Sequence, residues 1–237
     1  MRFIIALAVA LALVVALAKP LKKHPMPFYL GAVALVGIYF WGVMSGVRGE
    51  AWSVYQQLFH RCALAFLLFS VVMFVGTLSD KSRLRAHLMP IRRQLSIIAC
   101  ILAVGHVTFY LNSFLPQVSS GLATRVGLSF ALALFITALM IVLFVTSFLA
   151  VKHRMKAATW KAVQRLAYPF YVLTYVHLAL LLMPSALSCS SVAALSITVY
   201  TIVTGAYVVL RLRKAIVDHR AETSAPVLDL DLEAATA

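Results

Sequence analysis

The chain has 237 residues, of which 63% are hydrophobic and only 12% are charged. Soluble domains are nearer half apolar and a quarter charged, so this composition excludes an ordinary soluble enzyme. A formal net charge of +14 raises the idea of a nucleic-acid partner. The basic residues, however, lie in short loops between apolar runs, which is typical of a membrane protein and disfavours nucleic acid.

Apolar runs of about 20 residues are long enough to cross the hydrocarbon core of a bilayer. Seven such runs occur, at about residues 3–18, 27–46, 57–79, 94–115, 127–150, 167–184 and 187–212. They predict an all-α membrane protein, a bundle of about seven transmembrane helices. We divide the chain into an extra N-terminal helix with a basic loop (1–26), a transmembrane domain (27–215) and an acidic, disordered cytoplasmic tail (216–237).

The first run is predicted to be a retained span. Its positive flank, "AKPLKK", follows the apolar stretch, and no clear small-residue cleavage site is present. A cleaved signal peptide is the alternative interpretation.

The basic residues also set the orientation. With seven spans, all but four of the 21 Lys and Arg residues fall on one side of the membrane, and the exceptions are Arg2, Arg48, Arg61 and Arg125. The positive-inside rule makes the richer side cytoplasmic. We therefore expect an outer N-terminus and a cytoplasmic C-terminus.

The acidic residues exclude several functions by their positions. None of the seven lies between Lys81 and Ile216, and none lies inside a predicted span. Intramembrane carboxylates are the usual ion sites of pumps and transporters, so a transporter is disfavoured. Paired carboxylates for acid–base hydrolysis and the H-E-x-x-H motif are missing too, which disfavours a hydrolase.

Two histidines lie deep in apolar runs, His106 in "ILAVGHVTFY" and His177 in "YVLTYVHLALLL". His106 follows Arg93 by 13 residues and His177 follows Arg165 by 12, so each lies about 18–20 Å above the inner face. Two parallel helices with imidazoles at one depth can clamp a flat ligand, and haem is the natural candidate. No C-x-x-C-H motif occurs, so the haem would be a non-covalent b type. The alternative is a pair of histidines that only hydrogen-bond between helices.

Small residues near His106 support this interpretation. Ala99 and Ala103 precede it by seven and three positions, and Gly105 adjoins it. We expect them to leave room for a macrocycle.

Three segments resemble a known family: "HRCALAFLL", "IRRQLSIIACILAVGHVTFYL" and "WKAVQRLAYPFYVLTYVHL". They look like the MsrQ (YedZ) family, the haem-binding membrane subunits of periplasmic protein-methionine-sulfoxide reductase systems, within the ferric-reductase-like transmembrane superfamily. The likeness covers about residues 27–215, which implies a six-helix ferric-reductase-like core after the added first helix. It implies a multi-pass protein of the bacterial inner membrane.

The resemblance also implies roles for individual residues. His106 and His177 match the family's haem ligands, and Arg61 at the outer face would pair with haem propionates. Where the family commonly has a histidine four residues after Trp160, this chain has Gln164. A second stacked haem would use positions 93 and 164, and neither Arg93 nor Gln164 is a good iron ligand, so we expect one haem.

One haem near the outer face leaves a gap of about 20 Å to the cytoplasm. The resemblance implies quinone and flavin mononucleotide (FMN) as carriers, with the flavin near Arg93, Trp160 and Arg165. The predicted function is an electron-transfer subunit that passes electrons from quinol or a cytoplasmic-side flavin to a periplasmic molybdenum-dependent sulfoxide reductase subunit. The alternatives are a ferric-reductase-like protein that reduces small acceptors at the outer face, and a non-redox structural or assembly protein.

Overall fold

The structure, a computed structural model, describes residues 11–12, 14–114, 124–188 and 190–224, and within them the chain is helical without a strand. The helices are α1 (Ala18–Lys23), α2 (Pro25–Met44), α3 (Glu50–His60), α4 (Ala63–Val75), α5 (Arg83–Leu88), α6 (Arg92–Phe114), α7 (Arg125–Ser147), α8 (Leu149–Lys152), α9 (Ala157–Gln164), α10 (Ala167–Leu187) and α11 (Ser191–Ser224). One 3-10 turn, Met89–Ile91, joins α5 to α6. The predicted all-α class is confirmed.

Five stretches of the described chain are long and apolar enough to cross a membrane, and the bent pair α3–α4 makes a sixth if it counts as one span. The five are Pro25–Met44, Arg83–Phe114, Arg125–Ser147, Ala157–Leu187 and Ser191–Arg220. These six agree with the six predicted runs from residue 27 onward. Large apolar side chains are exposed on their outer surfaces, as lipid contact requires.

Both chain ends extend beyond the described residues. Most of the predicted first run, 3–18, lies among residues 1–10 and 13, which are outside the described part. At the other end, α11 continues to Ser224, past the predicted start of the tail at residue 216. The remainder of that predicted tail, 225–237, is also outside the described part.

The predicted run 57–79 is not one straight helix. The chain bends by 49° between α3 and α4. Cys62 has a left-handed backbone, with φ of 52°, and an L-residue in this conformation cannot continue a right-handed helix. Helix α3 therefore ends at His60, and α4 begins at Ala63.

Helix α6 lies at the centre of the fold, where it packs against α2, α4 and α7. Helix α7 also packs against α10, α10 packs against α11, and α11 contacts α4 again. Helices α4, α6, α7, α10 and α11 thus form a closed ring. The two predicted histidine-bearing helices, α6 and α10, flank α7 within it.

A buried polar contact joins two sides of this ring. Tyr171 of α10 is completely buried, and its hydroxyl lies 2.7 Å from Ser70 Oγ of α4. Ser70 is held by its own bond to the Phe66 carbonyl, at 2.8 Å. Because Ser70 gives its proton to that carbonyl, its oxygen accepts the proton of the buried Tyr171 hydroxyl.

Candidate functional site

The first imidazole of the site is fixed by the bend between α3 and α4. His106 Nδ1 lies 2.7 Å from the backbone carbonyl oxygen of His60. His60 is the last residue of α3, and carbonyls in the last turn of a helix lack intrahelical partners. The carbonyl can only accept, so Nδ1 of His106 carries the proton and Nε2 keeps its lone pair.

The second imidazole is fixed in the same way from α7. His177 Nδ1 lies 3.0 Å from the backbone carbonyl oxygen of Ser129 and 2.9 Å from its hydroxyl oxygen. Ser129 is 1% exposed, so this contact is shielded from solvent. The carbonyl again assigns the proton of His177 to Nδ1 and leaves Nε2 as a donor of electrons to a metal.

The two imidazoles form a pair with matching chemistry. They are close enough to interact electrostatically, and in the described residues neither His106 Nε2 nor His177 Nε2 has a hydrogen bond. A hydrogen bond from the non-ligating nitrogen orients a metal-bound histidine and makes it a better ligand. This donor set fits a haem iron, which takes two axial ligands from the protein and four nitrogens from the macrocycle.

Within the described ranges, no group of three or more His, Cys, Asp or Glu side chains is arranged to hold a metal ion.

An aromatic cluster surrounds the first imidazole. The ring of Tyr110 lies 4.7 Å from that of His106, and the His60 ring contacts Phe109 at 4.2 Å between centroids. His60 Nδ1 lies 3.2 Å from the hydroxyl of Tyr39. No feature of the sequence marks the His60 carbonyl as the group that orients His106.

Arg61 lies at the same end of the bundle. It follows His60 at the end of α3, its side chain is exposed, and it interacts electrostatically with Tyr110 and Tyr200. An exposed guanidinium beside the first imidazole stays available for an anionic group.

The small residues before His106 do not all face the pair. A Cβ on Gly105 would contact Phe59, Tyr39 and Val36, at 3.4 to 3.6 Å. The expectation that Gly105 leaves room for a macrocycle is therefore wrong. Gly105 instead faces α2 and α3, where an added Cβ would make ordinary contacts. Ala99 and Ala103 are both buried.

At the other end of the bundle, two predicted cofactor-binding residues meet on one partner. Trp160 Nε1 donates to the Thr146 carbonyl at 3.0 Å, and Gln164 Nε2 donates to the Thr146 hydroxyl at 2.9 Å. These bonds join α9 to the last turn of α7. Arg93 instead interacts with Tyr29 of α2, on another side of α6. The structure thus brings Trp160 and Gln164 together on Thr146, whereas Arg93 interacts with α2.

Comparison with known proteins finds one family model that matches the central part of the chain. Residues 61–175 match the family model described as the ferric reductase like transmembrane component. This part of the chain resembles a ferric-reductase-like transmembrane component. The matched segment contains His106 and ends two residues before His177.

A protein of Treponema pallidum (strain Nichols), described only as an uncharacterized protein, is 36% identical over 223 residues. The alignment covers 91% of this chain and 61% of that relative, so the chain spans about three-fifths of the relative's length. No solved structure matches the chain.

Proposed function

We propose that this chain is a haem b-binding electron-transfer subunit of the bacterial inner membrane. The observation that supports it is the shared geometry of His106 and His177. Each imidazole is held through Nδ1 by a backbone carbonyl, and each therefore offers Nε2. Bound haem would supply one-electron transfer, and six-coordination by two histidines suits electron transfer rather than oxygen binding.

The residues around the pair have supporting roles in this proposal. The His60 and Ser129 carbonyls hold the rings in orientation and would make both imidazoles better ligands for a haem iron. The exposed Arg61 guanidinium would bind a propionate carboxylate of the haem. Tyr110 packs against His106 and limits the access of water to it.

The direction of electron flow follows from the predicted orientation. With the histidine pair nearer the outer face, the electron acceptor is periplasmic. The MsrQ-like resemblance favours a molybdenum-dependent sulfoxide reductase subunit as that acceptor. Reduction of one methionine sulfoxide consumes two electrons and two protons and yields methionine and water. The chain would therefore supply the two electrons in two successive one-electron transfers.

Electrons would enter from quinol in the bilayer or from FMN at the cytoplasmic side. Trp160 and Gln164 lie in α9 at that end of the bundle, and Arg93 is the second residue of α6. Trp160 Nε1 and Gln164 Nε2 already donate to Thr146. These two side chains would therefore line the site of a bound carrier without using those donors to bind it. Arg93 has no ion pair among the described residues and supplies the positive charge.

A visible spectrum of the purified protein tests the cofactor. We expect about one haem b per chain with a low-spin, six-coordinate spectrum. His106→Ala and His177→Ala should each abolish that spectrum. His60→Ala is the matched control, because it removes a neighbouring imidazole and keeps the carbonyl that orients His106. Full haem retention in both ligand variants would refute the proposal.

The family match also favours a second candidate function, direct reduction of small acceptors at the outer face. Reoxidation of the reduced protein in proteoliposomes separates the two. We expect methionine sulfoxide to reoxidise it only when the periplasmic molybdenum enzyme is added. Equally fast reoxidation by ferric citrate alone would instead support the second function.

A further inference from the structure

A polar cavity of about 460 Å³ lies at the end of the bundle away from the histidine pair. Arg92, which lines it, precedes His106 by 14 residues in α6, a distance of about 21 Å along the helix. The cavity is lined by side chains from α4, α5, α6, α10 and α11 and from the segments that join them. Its charged residues are Asp80, Arg85, Arg92, Arg211, Lys214 and Asp218.

The two carboxylates of this cavity are already paired. Asp80 lies 2.7 Å from Arg85 and 3.3 Å from Lys214, and Lys214 also lies 3.1 Å from Asp218. These contacts neutralise Arg85 and Lys214.

The two remaining guanidiniums have no carboxylate partner among the described residues. Arg92 donates through Nε to the Val72 carbonyl at 3.0 Å, and its Nη2 lies next to Gly76. Arg211 lies over the ring of Tyr168, 4.7 Å from the centroid. Both contacts orient a guanidinium and leave its positive charge uncompensated beside the cavity.

A third donor is buried in the same place. Tyr207 is 2% exposed and lines the cavity. Its hydroxyl has no hydrogen-bond partner in the described part of the chain. A buried hydroxyl without a partner destabilises the protein, and such groups are rare in folded structures. Tyr207 also interacts electrostatically with Arg92 and Arg211, so the three donors are close together.

We propose that this cavity binds a phosphate group through Arg92, Arg211 and the hydroxyl of Tyr207. A phosphate has several acceptor oxygens, which matches two guanidiniums with paired N–H groups and one neutral donor. Its charge compensates the excess of four cationic over two acidic side chains. The phosphate belongs either to an anionic lipid headgroup, since the cavity lies among basic residues at the ends of spans, or to a soluble phosphate.

Native mass spectrometry of the purified full chain tests this site and distinguishes the two sources. One arm uses nanodiscs of phosphatidylcholine with and without phosphatidylglycerol, and the other uses delipidated protein with inorganic phosphate. Arg92→Gln should weaken retention of the bound phosphate about tenfold or more, because it removes a charge-assisted contact. Arg213→Gln is the matched control, since Arg213 lies on the same helix as Arg211, is exposed and does not line the cavity.

Tyr207→Phe keeps the test informative if Arg92→Gln fails to fold. It removes only the unpartnered hydroxyl, so ligand-free thermal stability should be unchanged or higher while phosphate binding falls several-fold. If both variants lose the binding of phosphatidylglycerol, the phosphate belongs to a lipid headgroup. If they lose only the binding of inorganic phosphate, the ligand is a soluble phosphate. Binding of neither probe, or equal binding by Tyr207→Phe and the unmodified protein, would overturn the proposal. The haem spectrum does not depend on this cavity, so the two proposals fail separately.

Discussion

Replacing Gly42 by alanine tests how α3 packs on α2. The packing of α3 matters because this helix ends in the carbonyl that orients His106. A Cβ at Gly42 would lie 2.6 Å from Cζ3 of the Trp52 indole and closer still to other atoms of that ring. Ordinary contacts begin at 3.4 Å, so the Cζ3 contact alone requires Trp52 or α3 to move by about 0.8 Å, and the closer ring atoms require more. Overpacking of this kind typically costs about 1–3 kcal/mol.

Gly37→Ala is the matched control, because Gly37 lies on the same helix with nothing within 4 Å of its added Cβ. Both substitutions gain about 0.5–1 kcal/mol of helix propensity, so this term cancels in the comparison. We expect Gly42→Ala to lower the free energy of unfolding by about 1–3 kcal/mol relative to Gly37→Ala.

Reversible unfolding in mixed micelles measures this difference. A Trp52→Ala background provides a second check, because removal of the indole should make Gly42→Ala as harmless as Gly37→Ala. Equal stability of the two alanine variants in the unmodified background would show that Trp52 does not pack on Gly42, and the reasoning would fail.

Three further predictions concern other contacts and the topology. Ser70→Ala should lower the free energy of unfolding by about 1–3 kcal/mol, because it removes the Ser70 partner of the Tyr171 hydroxyl. Ser70→Ala combined with Tyr171→Phe should be nearer neutral. Additive effects of the two single substitutions in a double-mutant cycle would contradict the hydrogen bond. Trp160→Phe should cost about 1 kcal/mol, since it removes the indole donor to α7 and keeps a ring; thermal unfolding checks it, and no change would show that the bond is unimportant. A reporter fused after Arg220 should be cytoplasmic and a reporter within residues 112–121 should be periplasmic, because basic loops stay on the cytoplasmic side. Finding both reporters on one side of the membrane would refute the span count.

The sequence by itself determined the class of the protein, the six spans from residue 27 onward and the two candidate ligands. These features are local. A run of apolar residues must be helical in a bilayer because every backbone polar group needs an internal partner. A histidine within such a run is conspicuous because it is costly there.

Only the tertiary structure decided how the two histidines are held. The acceptors are backbone carbonyls at His60 and Ser129, 46 and 48 residues away along the chain. Every residue has a carbonyl, so no side-chain pattern marks these two. The break at Cys62, which frees the first carbonyl, depends on a backbone conformation that cysteine adopts rarely.

The phosphate cavity was likewise beyond the sequence. Sequence reasoning singled out Arg93 of the Arg92–Arg93 pair, but Arg92 lines the cavity and Arg93 interacts with Tyr29 on α2. Successive residues on a helix are separated by about 100°, so two adjacent arginines face different neighbours. Which neighbour each one meets depends on the packing of α2, α4 and α11 around α6, and that packing joins residues from distant parts of the chain.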